Sequence, residues 1–154
     1  MESPLVSVRN FGLGDAAYLR EITESAYAVY VARIGKRPEP MDLDYQQVAL
    51  EQEIFVACVN EIPAGFVAHT LDESAGQILI HNLAISPPHQ RMGLGSLLLD
   101  SAETSGKVAG MTHAELYTNA SMVENLVFYE TRGYEVLYRR TVRGYDRIYL
   151  RKKL

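Results

Sequence analysis

In the segment QILIHNLAIS, residues 77–86, apolar residues alternate at Ile78 and Ile80 and then resume in the opposite phase at Leu83 and Ile85. Side chains alternate faces along a strand, so a slip of one residue turns every later side chain over. A β-bulge around His81-Asn82 writes such a slip, and a strand buried on both faces blurs alternation too. Pro87-Pro88 ends the strand, and from about Gly93 Leu94, Leu97, Leu98 and Ala102 follow at helical spacing, with Gly106 or Gly110 closing the helix. A buried strand that turns through glycines straight into an amphipathic helix commits the chain to helices packed on a sheet.

The flanking segments complete the order. Leu5 to Arg9 reads as a short strand, Gly14-Asp15 offers an N-cap, and Leu19, Ile22, Ala26 and Val29 carry a helix to about Arg33. Gly35, Pro38 and Pro40 break it, and a short helix follows from Leu43 to Glu51. Ile54 to Val59 and Gly65 to Leu71 are strands joined by a hairpin at Asn60-Glu61. Ala114 to Thr118 is a further strand, and Ser121 to Glu124 has the spacing of a capping box, opening a helix that Gly133 ends. Tyr134 to Thr141 and Tyr145 to Leu150 form a last hairpin at Arg143-Gly144. The predicted architecture is α/β with a mixed sheet of about seven strands and four helices, in a single domain over residues 1–154.

Composition narrows the function classes. The 154 residues are 47% hydrophobic and 22% charged, enough to bury a core without cross-links. No window approaches the roughly 18 consecutive apolar residues of a membrane span, and MESPLVSVRN lacks the features of a secretory signal. The sole cysteine, Cys58, sits in the apolar run IFVACV, reads as a small buried hydrophobe and fits a reducing cytoplasm. A net charge of −4 argues against a nucleic-acid partner and is compatible with a cationic substrate such as an amine.

Gln90-Arg91-Met92-Gly93-Leu94-Gly95 lies between the buried strand and the central helix. Glycines there admit a ligand close to the backbone, and a helix start offers unpartnered N–H groups with partial positive charge, so the loop suits a pyrophosphate. A strand-to-helix turn also uses glycines for geometry alone. The third glycine of G-x-G-x-x-G is missing, G-K-[ST] does not occur, and neither does G-x-S-x-G. The four histidines show no H-x-x-x-H spacing, so no dedicated metal site is expected.

Leu83-Ala84-Ile85-Ser86-Pro87 followed by Gln90-x-x-Gly93-x-Gly95 resembles the acetyl-CoA motif of the GNAT superfamily of N-acetyltransferases, Q/R-x-x-G-x-G/A. Phe128-Tyr129-Glu130-x-x-Gly133-Tyr134 resembles the family's second signature, and the element order matches that fold from end to end. Tyr30-Val31-x-Arg33-Ile34-Gly35 through Pro38, Pro40, Met41, Asp44 and Tyr45, with Leu116 to Asn119 and Met122, resembles a bacterial subgroup without a defined substrate. The resemblance implies a splayed central sheet, with acetyl-CoA as co-substrate and no metal. Leu83 and Ile85, with Ala84 between them, would offer backbone groups to the pantetheine arm, and the N–H groups of Arg91 to Ser96, Met92 and Leu94 included, would cradle the pyrophosphate. Arg91 would reach a phosphate or simply stand in solvent.

The same resemblance assigns roles further along. Tyr129 would protonate the departing thiolate; the alternative is a core tyrosine beside Phe128. Asn125, four residues earlier on the same helix face, would bond the pantetheine, although the family's asparagine usually stands a turn earlier, where this chain has Met122. Deprotonating the amine calls for a base, and His81 at the suspected bulge is the candidate, against a satisfied core histidine. A glutamate often serves there in the family. Tyr27, Tyr30, Tyr45 and Asn119 would line the amine pocket, and Asp44 would pair with an ammonium or offset a helix dipole. The expected reaction is acetyl transfer by direct attack to a primary amine, on a small molecule or a protein. The alternatives are acetylation of a protein N-terminus or lysine, or a catalytically silent acyl-CoA sensor. A homodimer stays open.

Overall fold

The computed structural model describes residues 2–154. Seven strands and four α-helices follow in the order β1 (Val6–Asn10), α1 (Ala16–Ile34), α2 (Tyr45–Glu51), β2 (Glu53–Val59), β3 (Ile62–Asp72), β4 (Gln77–Ile85), α3 (Leu94–Val108), β5 (His113–Asn119), α4 (Val123–Thr131), β6 (Glu135–Val142) and β7 (Tyr145–Lys153). The strands form one mixed sheet in the order β1-β2-β3-β4-β5-β7-β6, antiparallel except between β4 and β5. The α1 side of the sheet is closed over Leu19, Ile22, Ile54, Val56 and Phe66. The opposite side is closed by α3 and α4 over Ile78, Ile80, Leu98, Leu99 and Leu150. Among the described residues, no helix is long and apolar enough to cross a membrane.

The bulge falls where the phase slips. Ala68 pairs with Asn82 and His69 with Ile80, which leaves His81 as an extra residue on β4. Before it, Ile78 and Ile80 point into the α3 side; after it, Ala84 belongs to the α1 side while Leu83 and Ile85 pack toward α3. The parallel ladder to β5 runs only from Gln77 with His113 to Ile80 with Leu116. Beyond that point β4 and β5 separate, so the sheet splits at its centre.

Several local expectations are corrected. Asp15 stands at the N-cap of α1 as expected, but its side chain bonds no N–H of that helix: the carboxylate turns back to accept the Gly12 N–H at 2.7 Å and to pair with Arg9. The buried stripe of α1 runs through Leu19, Ile22, Thr23 and Tyr27, leaving Val29 exposed. On α3, Leu99 takes the buried place expected of Leu97. Gly106 lies inside that helix rather than at its end, where a methyl would come within 3.1 Å of Ile78 Cγ2. No capping box opens α4, which starts at Val123; the Ser121 N–H is taken by Asn119 Oδ1 at 2.9 Å, and Glu124 pairs with Arg33.

Candidate active site

Two cavities meet where the sheet splits. A wide cleft of about 550 Å³ runs along the start of α3, between the end of β4, α4 and α1. A narrow cavity of about 70 Å³ occupies the gap between β4 and β5. Tyr27, Leu83, Asn125 and Tyr129 line both and form the wall between them.

The wide cleft is built for an extended anionic ligand. Gly93 precedes α3 at φ +81 and provides no side-chain cap, so the N–H groups of Leu94, Gly95 and Ser96 have no partner within the helix. Their partial positive charge is aimed at the cleft. Arg91 also adopts a left-handed φ of +69, a conformation that a non-glycine residue holds at a cost of roughly 1–3 kcal/mol. Left-handed residues in such loops turn successive N–H groups inward into anion-binding concavities. The Gln90 side chain donates to the Ile85 carbonyl at 3.2 Å and ties the loop to the strand end. Ala84, Ile85, Gln90, Arg91 and Gly93 to Ser96 all line this cleft, whereas Met92 does not and stands exposed.

Backbone parity opens the strand edge. The Ser86 N–H donates to the Ala64 carbonyl on β3 at 2.8 Å. Alternation along the strand therefore directs the groups of Leu83 and Ile85 away from β3, toward the split. Across the cleft, Arg33 on α1 bonds both oxygens of Glu124 on α4 at 2.8 Å.

Tyr129 is buried beside Phe128 and Tyr134, and burial pushes its phenol well above the usual range. Its hydroxyl makes no hydrogen bond among the described residues. The Asn125 amide contacts Met122 Sδ at 3.5 Å, so the residue standing where the family has asparagine is spanned from one turn later. His81 lines the narrow cavity with Nε2 2.7 Å from Thr70 Oγ1. Burial, then the neighbouring His69, lowers its pKa, which keeps the ring neutral at pH 7.

The four expected acceptor residues are not brought together. Tyr27 and Asn119 line the narrow cavity, but Tyr30 lines only the wide cleft and Tyr45 lines neither. The Tyr45 hydroxyl is consumed internally: it donates to the Pro40 carbonyl at 2.6 Å and accepts from Asn82 Nδ2 at 3.1 Å. Asn82 Oδ1 accepts from Tyr27 at 2.7 Å, so the bulged strand is tied to α1 and α2 by one buried chain of bonds. Asp44 is the N-cap of α2, accepting from the Gln46 N–H at 3.0 Å. The cavity also gathers Asn82, Tyr117 and Thr118, which the sequence named without a role in the pocket, and Glu39 and Arg147, which it did not single out. The alternation Tyr145, Arg147, Tyr149 on the last strand was the available signal for Arg147.

The family model of the acetyltransferase (GNAT) domain matches residues 51–136, more than half of the chain. Among curated proteins, none matches the sequence. Solved structures share the fold at low identity. The PaiA N-acetyltransferase from Thermoplasma acidophilum, in complex with coenzyme A, is 18% identical with a TM-score of 0.80 over 97% of this chain and 99% of that one. The ribosomal-protein-S18-alanine N-acetyltransferase from Escherichia coli is 18% identical, with a TM-score of 0.77 over 97% and 94%. A GNAT family acetyltransferase from Elizabethkingia anophelis with acetyl-CoA bound is 17% identical, with a TM-score of 0.74 over 97% and 98%. A loop of orphan N–H groups facing a long cleft, a sheet split beside it and a matching family model lead to one conclusion: the chain belongs to the GNAT family and is an acetyl-CoA-dependent acyltransferase.

Proposed function

We propose that residues 1–154 form one domain that moves the acetyl group of acetyl-CoA to a primary amine by direct attack, with Tyr129 as general acid. The observation that carries this reading is the position of Tyr129 in the wall shared by the two cavities. The wide cleft takes the cofactor: orphan N–H groups of α3 meet the pyrophosphate, and the open edge of Leu83 and Ile85 meets the pantetheine amides. The thioester then lies at the wall, and the amine approaches from the narrow cavity. Relatives of this fold bound to CoA or acetyl-CoA support the first half of the assignment.

The amine nitrogen bonds to the thioester carbon, the C–S bond breaks and the thiolate takes a proton from Tyr129. The excess proton on nitrogen leaves to His81 or water, and the phenol is restored from solvent. Burial that raises the phenol also raises a thiol held beside it, so donor and acceptor stay matched. His81 qualifies as the base because it is neutral and lines the acceptor side, provided that its Nε2–H donates to Thr70 and leaves Nδ1 free. A relay through an acetyl-cysteine is disfavoured, since Cys58 is buried and lines neither cavity. Pro38, Glu39 and Pro40 line the narrow cavity, whose volume of about 70 Å³ favours a small amine over a polypeptide end. An intracellular co-substrate and a single buried thiol are in keeping with a cytoplasmic enzyme. The test is free-thiol release from acetyl-CoA across a panel of amines by the wild type and by Tyr129→Phe. Thiol release that depends on an amine and collapses in the variant is expected; equal rates for both would remove the acid role.

A further inference from the structure

The end of the narrow cavity formed by β7 carries a charge that the transfer chemistry does not use. The Arg147 side chain is 9% exposed and lines the cavity, with its guanidinium 3.9 Å from the centre of the Tyr117 ring. A guanidinium has five N–H donors. Two are engaged: one with Glu39 Oε1 at 3.1 Å and one, in a long contact, with the Tyr149 hydroxyl at 3.4 Å. The remaining donors are open to an acceptor that enters the cavity.

Glu39 is a shared partner. It sits on the short turn Glu39–Asp42 between α1 and α2, is 31% exposed, and is shared with Arg143, which holds Oε2 at 2.7 Å. Two guanidinium groups thus divide one carboxylate, and the excess at this end is positive. Among the described residues, no other carboxylate lines the cavity, and His81 at its side is neutral. An ammonium group would find its only anion already doubly paired. A carboxylate would find a rigid fork of donors shaped for it, with Glu39 able to remain on Arg143.

We infer that the amine acceptor carries a carboxylate, an amino acid or a compound like it, and that Arg147 binds that carboxylate in the place where Glu39 now stands in for it. The inference rests on the proposed acetyl transfer to an amine, since it orients the acceptor with its nitrogen toward Tyr129 and His81. Arg147 is then the specificity residue. Glu39 is a gate in competition with the substrate for the same N–H groups.

The probes are the twenty common amino acids, their carboxamides and spermidine, each offered with acetyl-CoA while free thiol is followed, together with calorimetry of the same compounds on the CoA-saturated protein. The best acceptor is expected to be a free amino acid, favoured over its carboxamide by about 10- to 100-fold in kcat/KM, the span of a hydrogen bond to a charged group. Arg147→Lys keeps the charge but loses the fork, and is expected to erase most of that preference while the KM for acetyl-CoA stays within about twofold. Glu39→Gln is expected to lower the KM of the free amino acid, which a purely structural ion pair would not do. Thiol release that is equal for amino acid and carboxamide, or greatest for spermidine, overturns the inference and leaves acetyl transfer standing. Amino-acid binding that Arg147→Lys weakens, without any thiol release, upholds the carboxylate site and overturns the acetyl transfer. Neither binding nor thiol release with any of these probes, spermidine included, overturns both.

Discussion

Burial moves Tyr129 and His81 in opposite directions and leaves both uncharged at neutral pH, one holding a proton to give and the other free of one. Removing only the Tyr129 oxygen leaves its ring packed between Phe128 and Tyr134, so Tyr129→Phe should fold with nearly unchanged stability. Its kcat should fall by about 10²- to 10⁴-fold, the usual contribution of a positioned acid, with CoA affinity unchanged in calorimetry. A parallel loss of melting temperature would instead mark the residue as packing. At this scale the sequence pointed to Tyr129 through a helix motif and to His81 through a phase slip, and both side chains line the narrow cavity. Tyr45 was not legible, because nothing in its surroundings along the chain tells that its hydroxyl meets the Pro40 carbonyl and the Asn82 amide. Arg147 was missed for the same reason, its partner Glu39 lying 108 positions away.

Elements were read more faithfully than their ends. The bulge, the hairpin at Asn60-Glu61 and the loop before α3 each wrote a pattern into neighbouring residues, and Asn60 and Glu61 both take the left-handed φ that such a turn demands. Caps failed where a nearby group took the bond instead: Asn119 takes the Ser121 N–H, and the carboxylate of Asp15, at the N-cap of α1, turns to Arg9. The left-handed Arg91 gave no warning, since arginine has no preference for that region. At Gly93 the space for a Cβ is open and only φ forbids it. Gly93→Ala should therefore destabilise by about 1–2 kcal/mol and weaken CoA binding by turning the N–H groups away. Gly93→Glu should abolish binding altogether by placing a carboxylate at the helix start. Calorimetry with CoA on each folded variant checks both, and unchanged affinity for the glutamate variant would remove the loop from the cofactor site.

The whole molecule carries a pH dependence set by its buried histidines. Burial lowers both His69 and His81 below the unfolded imidazole value of about 6.5. As pH falls below that value, the unfolded chain takes up protons that the folded chain refuses, so stability is full above about 6.5 and declines on the acid side. Asp15, held down by Arg9, adds a second loss at lower pH, as its carboxyl protonates in the unfolded chain first. Urea midpoints measured between pH 8 and 5 should fall with acidity, and a flat profile would mean that the histidines are solvated. The split between β4 and β5 has a different consequence. It places a free sheet edge in the interior of the molecule, where Leu83 and Ile85 keep amide protons that no neighbouring strand holds. Such protons should trade rapidly for deuterium in the ligand-free protein, and CoA should slow that trade at these two positions above all others in β4. The pantetheine arm would then act as the missing strand of the sheet, and the enzyme would be most completely folded only while it holds its acetyl donor.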